Sequence, residues 1–176
     1  TVIEGGVVMD RIKKILSFAM RMEKNSVDFY EFFMDKDVSN EARKLFEELA
    51  EIERQHFSIL KEQYDKRGFT EAPIEISWVV DETFKARDPH ILADNSDMIA
   101  GYDTNISDIS VMRMAYLIET DFSYFYGKAM KAVEDAEVKK LLSDLAQWEK
   151  QHGDMFYSRY LDLLDKELKD LKIILE

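Results

Sequence analysis

The chain has 176 residues, 46% of them hydrophobic, which is enough to bury a substantial core and too apolar for disorder. It contains no cysteine, so disulfides, thiolate metal sites and an iron–sulfur centre on this chain are excluded. A net charge of −12 repels nucleic acid and anionic membranes, making neither an expected partner, and attracts metal cations.

Residues 1–8 carry no visible chemistry and read as a start-site remnant ahead of Met9. From there the apolar residues recur at three- and four-residue steps, and the periodicity predicts four helices over 8–36, 40–67, 106–133 and 136–174. Ser39 and Asn40 can cap the second, Gly68 stands just past its end, and Asp135 can cap the fourth. Both prolines, Pro73 and Pro89, fall between the second and third helices, leaving the flanking stretches unbroken. That crossover, about 69–105, carries Trp78, Val79, Val80, Phe84, Ile91 and Leu92, so part of it is expected to pack on the bundle, with a short helix near 77–86 and a turn at Asp88-Pro89. The expected fold is all-α: one domain over 1–176, a four-helix bundle of two helical hairpins joined by a long crossover that lets the second and third helices run parallel. No apolar run is long enough to span a bilayer and the N-terminus lacks a signal-like stretch, so a soluble, cytoplasmic protein is expected. The charged fraction of 34%, with only four Asn and four Gln, leans toward a thermophilic composition.

A four-residue device is written twice. Glu53-Arg54-Gln55-His56 and Glu149-Lys150-Gln151-His152 lie 96 positions apart, and 30 residues before each stands another glutamate, Glu23 and Glu119. Glu and His at i and i+3 share a helical face, so a carboxylate oxygen and an imidazole nitrogen can converge on one metal ion. The midpoints of the pairs 23/53 and 119/149 are 38 and 134, where the turns are expected; antiparallel packing then sets each pair level in its hairpin. The spacing of 96 also relates Phe29 to Phe125, Tyr30 to Tyr126, Leu45 to Leu141, Leu49 to Leu145 and Tyr64 to Tyr160, so the halves read as two copies of one hairpin about a pseudo-two-fold axis.

All four glutamates occupy inward rows: Leu16, Glu23, Tyr30; Phe46, Glu53, Leu60; Met112, Glu119, Tyr126; Leu142, Glu149, Phe156. Ionised carboxylates in a dry core need compensating positive charge, and no lysine or arginine shares those rows. Two divalent cations balance four carboxylates and two neutral imidazoles. Oxygen and nitrogen donors without sulfur suit iron or manganese, with zinc possible. Tyr30 and Tyr126, two turns beyond the first ligand of each half, are placed to donate hydrogen bonds to the bound carboxylates. Glu47, Glu48 and Glu51 read as solvent-facing charges, Gln55 and Gln151 point away from the metal, and His90 stands alone in the crossover as a structural histidine. Gly127 and Gly153 interrupt helices near the site and are read as points of close helix packing, the alternative being space left for a small substrate.

The order Glu, Glu-x-x-His, Glu, Glu-x-x-His over about 10–67 and 106–165 resembles the ferritin-like di-iron carboxylate superfamily, and within it the stand-alone rubrerythrin-type proteins. The resemblance implies a ferritin-like bundle with two irons held by Glu23, Glu53, His56, Glu119, Glu149 and His152. It further implies a non-haem di-iron oxidoreductase, of peroxidase or ferroxidase type, that reacts with hydrogen peroxide or dioxygen in oxidative-stress defence or iron oxidation and draws on an external electron donor. The alternative is a protein that binds and sequesters iron without turnover. Two departures set the chain apart: Phe122 stands where rubrerythrins proper carry a further glutamate, and the cysteine-bound rubredoxin-like domain is absent. The crossover and the apolar residues 171–175 offer surface that a homodimer would cover.

Overall fold

A computed structural model describes residues 2–34, 38–70 and 104–175. These form four helices, α1 Val2–Met34, α2 Asn40–Lys66, α3 Thr104–Ala129 and α4 Ala136–Leu175, and no strand occurs among the described residues. The expected all-α four-helix bundle is therefore the observed one. The proposed crossover elements, with Trp78, the turn at Pro89 and His90, lie outside the described residues, as do residues 35–37.

Local chemistry fixes the helix ends. Ser39 caps α2: its Oγ accepts the Ala42 N–H at 3.1 Å and its carbonyl accepts the Arg43 N–H at 2.9 Å. The Ser39 N–H donates in turn to Asp108 Oδ1 at 3.1 Å, so a buried carboxylate on α3 ties down the start of the neighbouring hairpin's second helix. After α2 the chain reverses at Gly68, whose φ of +70° is open to glycine and strained for other residues. Asp135 Oδ1 accepts the Val138 N–H at 2.9 Å to cap α4, and the same oxygen lies 3.0 Å from Arg67 Nη2 at the end of α2.

Two boundaries differ from expectation. α1 starts at Val2, so the residues read as a remnant continue the helix. α3 stops at Ala129 rather than near 133, because the reversal into α4 consumes the next six residues; Val133 drops into the core, and Asp135 must leave helical geometry to cap. No helix breaker marks Lys131-Ala132, so periodicity overshoots there.

Burial of the apolar faces divides the interior into two clusters above and below a polar level. One joins Ile12, Leu16 and Met20 of α1 with Leu60 and Tyr64 of α2, Phe122 and Tyr126 of α3, and Leu142 and Leu145 of α4. The other joins Phe29 and Tyr30, Phe46 and Leu49, Val111 and Met112, and Phe156. The late turns of α2 and of α3 thus share a cluster with the early turns of α1 and α4, so α2 and α3 run parallel, as the crossover connection requires. The 96-residue repeat exchanges the clusters: Leu16 and Met112, Tyr30 and Tyr126, Phe46 and Leu142, Leu49 and Leu145, Leu60 and Phe156 fall on opposite sides. The polar level between them is the site.

Gly153 is buried against α3, where an added Cβ would meet Glu119 Cβ and Thr120 Oγ1, both at 3.6 Å, ordinary van der Waals contact that alanine would also make, so the close-packing reading does not require glycine there. It does not hold at Gly127, where a Cβ would meet nothing within 4 Å. No described helix is long and apolar enough to cross a membrane.

Candidate metal centre

Glu23, Glu53, Glu119 and Glu149 are each fully buried, and the structure brings all four together with His56 and His152 between the two apolar clusters. They fall into two groups of four: Glu23, Glu53, His56 and Glu149 in one, Glu53, Glu119, Glu149 and His152 in the other, the ligand-type atoms of each lying within 4.8 Å of one another. Glu53 and Glu149 belong to both.

The oxygens divide accordingly. His56 Nδ1 lies 2.9 Å from Glu53 Oε2, 3.0 Å from Glu149 Oε1 and 3.9 Å from Glu23 Oε2. His152 Nδ1 lies 3.1 Å from Glu149 Oε2, 3.4 Å from Glu53 Oε1 and 3.6 Å from Glu119 Oε2. Glu53 and Glu149 each turn one oxygen toward each histidine, whereas Glu23 and Glu119 each serve one group. Two central carboxylates shared by two nitrogen-containing groups is an arrangement that fits two adjacent cations.

The tyrosines complete the division by reaching across the bundle. Tyr30 on α1 donates to Glu119 Oε1 on α3, and Tyr126 on α3 donates to Glu23 Oε1 on α1. The other oxygen of each outer glutamate, Oε2, is left without a hydrogen bond, as are Glu53 Oε1 and Glu149 Oε1. Four buried carboxylate oxygens without a well-directed hydrogen bond at one level are what a divalent cation pair would satisfy. On donor type and on these unbonded lone pairs, the residues fit a dinuclear cation site. Removing one phenol orphans a further oxygen and frees its glutamate to turn; Tyr30→Phe and Tyr126→Phe are each expected to weaken metal binding about 10-fold or more, read by competitive titration.

Without metal, protons do the neutralising. Burial, and then the charges of Glu149 and Glu53, push the Glu23 carboxyl well above the usual range. Burial raises Glu119 likewise, against the opposing influence of the nearby His152 imidazole. Burial acts the same way on Glu53, but the imidazoles of His152 and His56 beside it overcome that and hold the carboxyl down at about 2. The imidazoles gain from the same contacts: although burial disfavours their charge, Glu149 and Glu53 raise His56 to about 9, and Glu119, Glu149 and Glu53 raise His152 to about 12. Raised folded-state values mean that the folded protein holds more protons than the unfolded chain, so stability falls as pH rises. The histidine contribution is complete below the ordinary value of 6.5 and is lost toward about 9 and about 12. The Glu53 contribution is present above 4.5 and lost only toward about 2. Chelator-treated protein is therefore expected to melt at lower temperature at pH 9 than at pH 6.5, whereas metal-loaded protein, no longer competing with those protons, moves the opposite way. Thermal melts with and without metal at the two values check this.

Several features of this level escaped sequence reading. The sharing of Glu53 and Glu149 and the crossed tyrosines depend on how the hairpins face each other, which spacing within one hairpin does not encode. Phe122 is buried in the apolar cluster, so no carboxylate takes its place; its counterpart under the 96-residue repeat is Ser26, fully buried with its hydroxyl unbonded. Gln55, Gln151, Glu47, Glu48 and Glu51 are exposed, as expected.

Comparison with known families places residues 14–160 under the family model described as Rubrerythrin. No curated protein and no solved structure gives a significant match.

Proposed function

The chain belongs to the rubrerythrin family, and from that premise we propose that it is a non-haem di-iron oxidoreductase that reduces hydrogen peroxide or dioxygen, in a role of oxidative-stress defence or iron oxidation. The observation that carries this reading is the pair of four-residue groups sharing Glu53 and Glu149 in a level closed above and below by apolar side chains. Glu23, Glu53, His56 and Glu149 would hold one ion and Glu53, Glu119, Glu149 and His152 the other. Bound there, two irons supply redox chemistry at coordination positions the six side chains do not fill.

The protein's own part is to bind, orient and neutralise. Tyr30 and Tyr126 fix the two outer carboxylates from opposite hairpins, leaving one oxygen of each directed inward. Apolar side chains on both sides keep the level dry, which strengthens every charge interaction within it. His152 retains 14% exposure of its side chain against 6% for His56, so the face nearest solvent is that of α4. These 176 residues carry no cysteine and so no iron–sulfur centre of their own, and in this reading the reducing electrons come from a separate donor.

Stopped-flow absorbance tests the proposal. Ferrous-loaded protein is expected to oxidise faster than free ferrous iron with peroxide or with dioxygen. Rates no faster than free iron with both oxidants would instead assign sequestration without turnover.

A further inference from the structure

We propose that Trp148 is the port by which electrons from an external one-electron carrier reach the buried centre, an inference that rests on the di-iron reading above. Trp148 precedes Glu149 on α4 and keeps 37% of its surface exposed. Its indole lies flat on the imidazole of His56, across the hairpin boundary, with centroids 5.3 Å apart and planes 11° from parallel. The His56 ring is in turn 5.8 Å and 15° from that of His152. A run of three near-parallel π systems therefore leads from solvent to both nitrogen donors of the site.

Trp148 combines a stacking contact on a site histidine with exposure to solvent. Tyr30 and Tyr126 touch the carboxylates and are fully buried. The pseudo-two-fold axis supplies an internal comparison: the position related to Trp148 by 96 residues is Ile52, on the helix that carries Glu53 and His56. The two halves repeat their ligands and their tyrosines, yet only one of them places an indole at this position. An aliphatic side chain suffices to cover the flank of a helix, so packing alone does not call for the exception. A large, polarisable π system stacked on a ligand imidazole is instead suited to electronic coupling.

The electron balance is simple. Each carrier docked at Trp148 loses one electron, one ferric ion gains it and becomes ferrous, and two carriers reduce the pair. No bond forms or breaks in the port, and the indole ends as it began.

The test uses the full chain loaded to equal ferric stoichiometry, with anaerobic stopped-flow reduction by reduced flavodoxin, a carrier protein too large to enter the bundle. Trp148→Leu is expected to slow reduction about 10-fold or more, equivalent to ~1.4 kcal/mol on the barrier, with Trp148→Phe between it and the parent. Reduction by dithionite, small enough to bypass the port, is expected to be unchanged. Equal rates for the parent and Trp148→Leu with flavodoxin, or equal slowing with dithionite, would overturn the proposal. A second readout needs no turnover: the emission lost on Trp148→Phe, taken as a difference spectrum, isolates this indole. Cobaltous ion binding is expected to quench that component, and an unquenched component beside bound cobalt, visible by its own absorption, would also overturn it. Failure of either metal to bind would remove the di-iron reading itself, a distinct outcome.

Discussion

Glu53→Ala is expected to abolish tight binding of both metal ions, whereas Glu23→Ala weakens mainly one. The difference follows from the oxygens: Glu53 turns Oε2 toward His56 and Oε1 toward His152, while Glu23 joins only the group containing His56. A partner that merely holds a ligand in place is worth about 10–100-fold in affinity, so loss of a carboxylate shared by two ions is expected to exceed about 100-fold at each. Glu149→Ala should match Glu53→Ala, because Glu149 divides its oxygens the same way, and Glu119→Ala should match Glu23→Ala. Metal stoichiometry after dialysis, with calorimetric titration for the affinities, reads all four. Four equal effects would dissolve the distinction between shared and outer carboxylates.

The second large effect is on stability. The level between the two clusters holds four buried carboxylates, each with an oxygen lacking a well-directed hydrogen bond, and a cation pair would satisfy them only in the folded state. Ligand at about 1,000 times its dissociation constant stabilises the folded protein by about 4 kcal/mol for a single site, and two occupied sites add. The melting temperature is therefore expected to rise steeply with free metal concentration and to fall on chelation. Glu53→Ala should remove most of that dependence while retaining a folded, helical protein, since it leaves intact the apolar clusters on either side, with Leu49 and Ala50 in one and Leu60 in the other. Thermal melts followed by circular dichroism at a series of free metal concentrations measure it.

The fold was legible because its helices carry their faces in the sequence. Inward rows such as Phe46, Glu53, Leu60 and Leu142, Glu149, Phe156 mark the buried side of each helix, and Ser39, Gly68 and Asp135 mark the ends that are made by specific hydrogen bonds or backbone angles. The end of α3 was not legible, because Val133 leaves the helix to fill the core and nothing in Lys131-Ala132 announces it. In the site, the repeat of 96 and the interval of 30 fixed six heights, since antiparallel pairing converts equal distance from a turn into equal level. What the heights could not give was how the hairpins face one another. The crossing of Tyr30 to Glu119 and Tyr126 to Glu23, and the stacking of Trp148 on His56, join residues of opposite halves, for which no interval within a half sets a register. Tyr30 and Tyr126 were found by their place on the inward rows; their partners were found only in three dimensions.

The central claim is that two cations lie between the hairpins with Glu53 and Glu149 between them. Anomalous diffraction at the iron edge, from crystals of the iron-loaded protein, tests it most directly. Two peaks are expected, one among Glu23, Glu53, His56 and Glu149 and the other among Glu53, Glu119, Glu149 and His152. No peak at that level, or a single peak contacting neither Glu53 nor Glu149, would contradict it.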